Sequence, residues 1–81
     1  MKLLFAPRAV KQYRELPPDL RAIVDKQLEA LLSNLRHPSL RAKKYDEIRD
    51  IWQGRVTRDC RFYFRIEGDT YHILSITKHP K

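Results

Sequence analysis

Hydrophobic residues follow one rhythm in the first half of the chain and another in the second. Leu20, Ile23, Val24, Leu28, Leu31, Leu32 and Leu35 fall at steps of three and four, with Arg21, Asp25, Lys26, Glu29 and Asn34 between them. That spacing predicts an amphipathic helix. Pro17-Pro18-Asp19 begins it, Asp19 adds negative charge near its positive end, and Arg36, His37 and Pro38 end it. Upstream, Leu3-Leu4-Phe5 reads as a strand over about 2–6. Pro7 stops that strand and suits the first turn of a helix running to Glu15, with Ala9, Val10 and Tyr13 as its apolar side. The proline corner joins the two helices into a hairpin.

From Ile51 the period becomes two. Residues 51–56, 60–66 and 70–77 read as three strands. Thr57-Arg58-Asp59 and Glu67-Gly68-Asp69 are turns short enough for antiparallel hairpins. Residues 39–50 read as a polar loop with room for a short edge strand near Lys44. The expected fold class is α+β, ordered β-α-α-β-β-β, a single unit over 1–81 with the helical hairpin on one face of a mainly antiparallel sheet. Cys60, Phe62, Phe64 and Ile66 share one parity and are apolar, whereas Arg61, Tyr63 and Arg65 share the other. The first set belongs under the helices and the second on an open face. With Val56 in the core, Trp52 and Gly54 follow it, and Gln53 and Arg55 join Arg61. In the last strand Leu74 and Ile76 are expected in the core; Tyr71, Ile73, Ser75, Thr77 and His79 are expected on the open side.

Charge gives this pattern a direction. The 81 residues carry 17 Lys+Arg against 10 Asp+Glu, a net +7, and the excess is shared between the halves instead of forming a tail. So basic a small body favours a polyanionic partner. No apolar stretch approaches the length of a membrane span, and the first residues do not form a signal peptide. The lone Cys60 forms no internal disulfide and, with three histidines, no zinc cage. The expected setting is the cytoplasm, with no membrane, metal or small-molecule cofactor.

Arg55, Arg61, Tyr63 and His79 would then meet on the open face. Arginines stabilise a phosphorane, histidine protonates a leaving oxygen, and a tyrosine stacks on a base. These are parts for cleaving RNA by attack of its own 2′-hydroxyl, without a metal. A general base is not evident; Asp46, Glu47 and Asp50 in the preceding loop are the available carboxylates. Arg41, Lys43 and Lys44 form a basic loop suited to phosphate contacts. The plain readings put Trp52 at the core edge, His72 at the core edge on the helix side, His37 at a helix end and Cys60 as a small buried residue. Arg61 would be a surface arginine paired with Asp59 or Glu67.

The element order, the helical-hairpin segment from Phe5 to Leu32 and the run W-x-x-R-V-x-R-x-x-R-x-x-F from Trp52 to Phe64 resemble the RelE/ParE superfamily of toxins from toxin–antitoxin pairs. In its RelE-like branch the resemblance implies a messenger RNA endonuclease acting in the ribosomal decoding site, against 16S ribosomal RNA, and silenced by a cognate antitoxin. It implies Arg61 at the scissile phosphate, Arg55 as a supporting cation and His79 as general acid, with Gln53, Tyr63, Arg65, Arg41, Lys43 and Lys44 as RNA contacts. Gln53 stands where some members carry a lysine. The terminal tyrosine of many members is replaced by Pro80-Lys81. The ParE-like branch implies instead an inhibitor of DNA gyrase with no nuclease site, and an inactive RNA-binding relic would share the same pattern.

Overall fold

The computed structural model describes residues 1–78. The elements are β1 (Lys2–Phe5), α1 (Pro7–Glu15), α2 (Pro18–Ser33), a 3-10 turn (Pro38–Leu40), β2 (Lys43–Asp46), β3 (Ile51–Thr57), β4 (Cys60–Glu67) and β5 (Thr70–Lys78). The five strands form one sheet in the order β1-β5-β4-β3-β2. β1 runs parallel to β5 and the other three pairings are antiparallel. The loop carries the short edge strand expected near Lys44, and both hairpin turns fall where the sequence puts them. Gly68, with φ +60°, is the first of the two residues joining β4 to β5. A II′ hairpin turn needs positive φ at that position.

Prolines set both helix starts, Pro7 for α1 and Pro18 for α2. α2 ends earlier than its apolar rhythm suggests. Asn34 is extended, and its side-chain oxygen accepts a hydrogen bond from the Arg36 amide at 3.0 Å. This local bond competes with another helical turn. Leu35, Arg36 and His37 therefore lie past the helix, and His37 caps the 3-10 turn by accepting from the Ser39 amide at 3.2 Å.

The helices cover one face of the sheet. Ala9 and Leu16, together with Val24, Leu28 and Leu31, are buried against Val56, Cys60, Phe62, Phe64, Tyr71, Ile73 and Ile76. Gly54 lies opposite Phe62 in the β3–β4 ladder. A Cβ there would stand 2.4 Å from the Phe62 ring, so only glycine lets that ring lie across β3. Trp52 is half-buried and stacks on Phe64 at 6.2 Å, the core-edge place expected for it. Burial pushes the Cys60 thiol pKa up, in keeping with a small packed residue.

The last strand departs from strict alternation. Phe64 is opposite Ile73, but Tyr63 is opposite Ser75, so Leu74 is an extra residue in a bulge. Before the bulge, Tyr71 and Ile73 turn into the core; after it, Ile76 does so. Tyr71 and Ile73 are thus core residues and Leu74 is not, the reverse of the parity expectation. Ser75 and Thr77 keep their open-side places. His72 pairs with Arg65 and so belongs to the open face, not the helix side, with its Nδ1 3.6 Å from Glu67. Beyond the end of β1 the outer edge of β5 is met by α1, where Gln12 accepts from the Ile76 amide at 2.7 Å.

Candidate nucleic-acid interface

The open face is built on rungs of the β2–β3–β4–β5 ladder. Lys43, Gln53, Tyr63 and Ser75 form one rung; Arg55, Arg61 and Thr77 form the next. Arg55 and Arg61 are directly opposed. Like charges in that relation destabilise a sheet, so the pairing asks for a counter-charge from elsewhere. The guanidinium of Arg61 meets part of that need locally: its Nη1 donates to the carbonyls of Thr57, Arg58 (2.9 Å) and Cys60 (3.2 Å) at the β3–β4 turn. Among the described residues, the other N–H groups of the fork have no hydrogen-bond partner. Neither Asp59 nor Glu67 pairs with it among the described residues.

Arg41, Lys43, Gln53, Arg55 and Arg61 together line a recess of about 180 Å³. Arg41 gets there through a left-handed backbone, φ 46°, just after the 3-10 turn. Among the described residues, none of the four cations forms an ion pair. One buried polar side chain ties together two of the segments that form this recess. Gln27 of α2 donates through Nε2 to the backbone carbonyl of Arg55 at 2.7 Å and to that of Ser39 at 3.1 Å. It ties the strand that carries Arg55 to the turn that leads to Arg41.

Beside it lies a second recess of about 420 Å³, lined by Arg8, Tyr45, Ile51, Tyr63, Leu74 and Thr77 among others. Tyr45 and Tyr63 meet edge to face, their ring centres 4.9 Å apart. Burial, together with Tyr45 nearby, raises the Tyr63 pKa above its usual value, so the phenol stays neutral at physiological pH.

Five of the nine proposed site residues are thus brought together: Arg61, Arg55, Gln53, Lys43 and Arg41. Tyr63 is one rung away, in the neighbouring recess. Arg65 is on the same face but farther along β4, its Nε donating to the Arg49 carbonyl at 3.1 Å. Lys44 is not with them. It pairs with Trp52 in the ladder, holds its ammonium 5.3 Å from that ring and bonds Asp50 at 2.6 Å. His79 lies outside the described residues. The loop carboxylates are engaged elsewhere: Asp46 accepts from the Ile48 and Arg49 amides, and Glu47 and Asp50 pair with Lys44. Tyr45, Arg8 and Leu74 were not foreseen. Tyr45 and Leu74 sit at irregularities in the strand pairing that no alternation announces, and Arg8 comes from the first turn of α1.

Comparison with known proteins places this architecture. The YoeB/ParE toxin from Agrobacterium tumefaciens superposes with a TM-score of 0.83 over 99% of this chain and 100% of that one, at 14% identity. The isolated RelE toxin of E. coli gives 0.80 over 99% and 85% of the two chains at 21% identity. A chain of the RelB-RelE antitoxin-toxin complex from Methanococcus jannaschii gives 0.76 over 93% and 88% at 22% identity. These likenesses establish a RelE/ParE-like fold. No curated protein matches the sequence. The sequence model for the ParE toxin of type II toxin-antitoxin systems, parDE, matches residues 3–80. With nearly the whole chain matched and the fold in agreement, this protein belongs to the ParE toxin family, within the RelE/ParE superfamily, and is a toxin of a type II toxin–antitoxin system.

Proposed function

We propose that this toxin is an endoribonuclease that cuts messenger RNA on the ribosome and is silenced by a cognate antitoxin. The observation that carries the reading is the recess of Arg41, Lys43, Arg55 and Arg61, four cations converging with no carboxylate in its lining among the described residues. Such a cluster raises the local concentration of phosphate and stabilises added negative charge on it. It also repels a divalent cation, which favours a route needing no metal. In this mechanism the 2′-hydroxyl loses its proton to solvent water as it attacks the adjacent phosphorus, Arg61 and Arg55 hold the phosphorane oxygens, and the bond to the 5′-oxygen breaks as that oxygen takes a proton from His79, leaving a 2′,3′-cyclic phosphate. Gln53 hydrogen-bonds the reacting nucleotide, and Arg65 meets the backbone farther along. The antitoxin partner is supported by the family and by a fold shared with the RelB-RelE antitoxin-toxin complex.

A second reading has its own support. The family bears the ParE name, and Asp46, Glu47 and Asp50 are all held away from the basic recess. A recess without a carboxylate base among the described residues fits an inhibitor of DNA gyrase that never cuts RNA. Primer extension on a translated message after induction separates the two. Cuts phased with codons, lost in Arg61→Ala with a fall of roughly 10²- to 10³-fold, support the nuclease. An intact message with induced DNA damage defeats it.

A further inference from the structure

The recess beside the cationic cluster has a different chemistry and no assigned occupant. Its walls are the Tyr45 and Tyr63 rings with Ile51 and Leu74, its polar points are Ser75, the Thr77 hydroxyl and the Arg8 guanidinium, and no acid lines it among the described residues. Its volume of about 420 Å³ lies within the range of small-molecule sites, roughly 300–1,000 Å³. Tyr63 is wedged edge to face against Tyr45 and half-buried, whereas Tyr45 is 62% exposed. One aromatic face is therefore held firm by a neighbour and left open to solvent. An exposed aromatic face beside cations is how proteins hold an unpaired nucleobase.

The two recesses adjoin, since Thr77 of one is the ladder partner of Arg61 of the other. Residues 61 and 63 are successive on the open face of β4, about 7 Å apart at strand spacing. A phosphate at Arg61 thus leaves the neighbouring base within reach of the tyrosines, and Arg8 on the far side can meet another phosphate. From this geometry we infer that the Tyr45–Tyr63 recess is a nucleobase subsite, taking the unpaired base next to the phosphate held by Arg55 and Arg61. Tyr45 is the stacking platform, Tyr63 its brace and Arg8 the outer clamp. The Thr77 hydroxyl both donates and accepts, so it reads no single base. The subsite accepts any base and holds purines tighter, because a larger ring covers more of Tyr45.

This inference rests on the nuclease reading, and the test separates the two. Ribosomes are loaded with a message carrying 2-aminopurine next to the cut and a 2′-deoxy nucleotide at the cut, which prevents cleavage. Wild-type toxin should quench the 2-aminopurine on binding. Tyr45→Ala should bind about tenfold more weakly, within the range for losing one stacked base, and lose the quenching, whereas Tyr45→Phe should keep both. An abasic site in place of the 2-aminopurine should cost wild type about as much and Tyr45→Ala nothing further. If Tyr45→Ala binds and quenches like wild type, or the two losses add independently, the subsite is overturned. Wild type that cuts an unmodified message but shows no quenching overturns the subsite and spares the nuclease. A protein that neither binds nor cuts overturns both.

Discussion

β3 and β4 each present two chemistries from alternate residues of the same backbone. Toward the helices they show Gly54, Val56, Cys60, Phe62 and Phe64, all buried. Away from them they show Gln53, Arg55, Arg61 and Tyr63, of which two opposed arginines work against the ladder that holds them. The helix face stabilises the fold. The open face keeps a charge arrangement that folding alone disfavours and that a phosphate ligand would relieve. A feature that opposes stability while the rest of the sheet supports it is where function is to be sought.

The sharpest way to break this division is from the apolar side. Phe62 is fully buried and its ring lies over Gly54. Phe62→Ala should cost about 3–5 kcal/mol in urea unfolding. Gly54→Ala should also destabilise, because its methyl enters the space of that ring. The two should not add: once the ring is gone, the Gly54→Ala methyl has room and refills part of the cavity. A double variant as unstable as the sum of the singles would contradict the packing described for this pair.

The same contrast explains what could be read from the sequence. The helix face was legible, because burial imposes a period on apolar residues, which gave the parity of β4, while prolines and turn residues marked the boundaries of α1 and both turns. The open face was legible only where strands are regular, which is why Gln53, Arg55, Arg61 and Tyr63 came out on one side. One extra residue reverses parity, and no composition cue marks it. Leu74 looked like core for that reason, and Tyr45 stayed hidden in an edge strand with its own irregular pairing. Gln27 was invisible for a different reason. It sits at a core-facing position of α2, where a polar residue reads as pattern noise until its partners are seen.

Gln27 links the two sides, and its loss should be the next largest effect. Gln27→Leu keeps size and burial but removes the donor to the Arg55 and Ser39 carbonyls. Leaving these partly buried carbonyls short of a partner should cost about 1 kcal/mol, the low end of what a buried group loses. Because those carbonyls belong to the strand that carries Arg55 and to the turn that leads to Arg41, message cleavage by the folded variant should also fall. Thermal unfolding and cleavage below the melting range measure the two separately. Full cleavage by a destabilised Gln27→Leu protein would show that the recess is held without it.

The finest comparison is between neighbours of one residue type. Lys43 faces the basic recess, whereas Lys44 lies over Trp52 and is drawn to Asp50 and Glu47. Lys43→Ala should weaken binding to programmed ribosomes and lower the slope of log affinity against log salt by about one, the signature of one lost phosphate contact. Lys44→Ala should leave that slope nearly unchanged and act instead on Asp50. The bond to Lys44 holds the Asp50 carboxyl below the usual aspartate range. A pKa depressed on folding gives stability that is present above the unfolded value and lost as pH falls through the folded one. Both groups are exposed, so the stability change is small and the titration itself is the readout: carbon-detected NMR should find Asp50 titrating higher in Lys44→Ala. Equal salt slopes for the two alanine variants would mean that the sheet's faces do not divide the RNA contacts, because the two side chains differ in little but the side on which the strand places them.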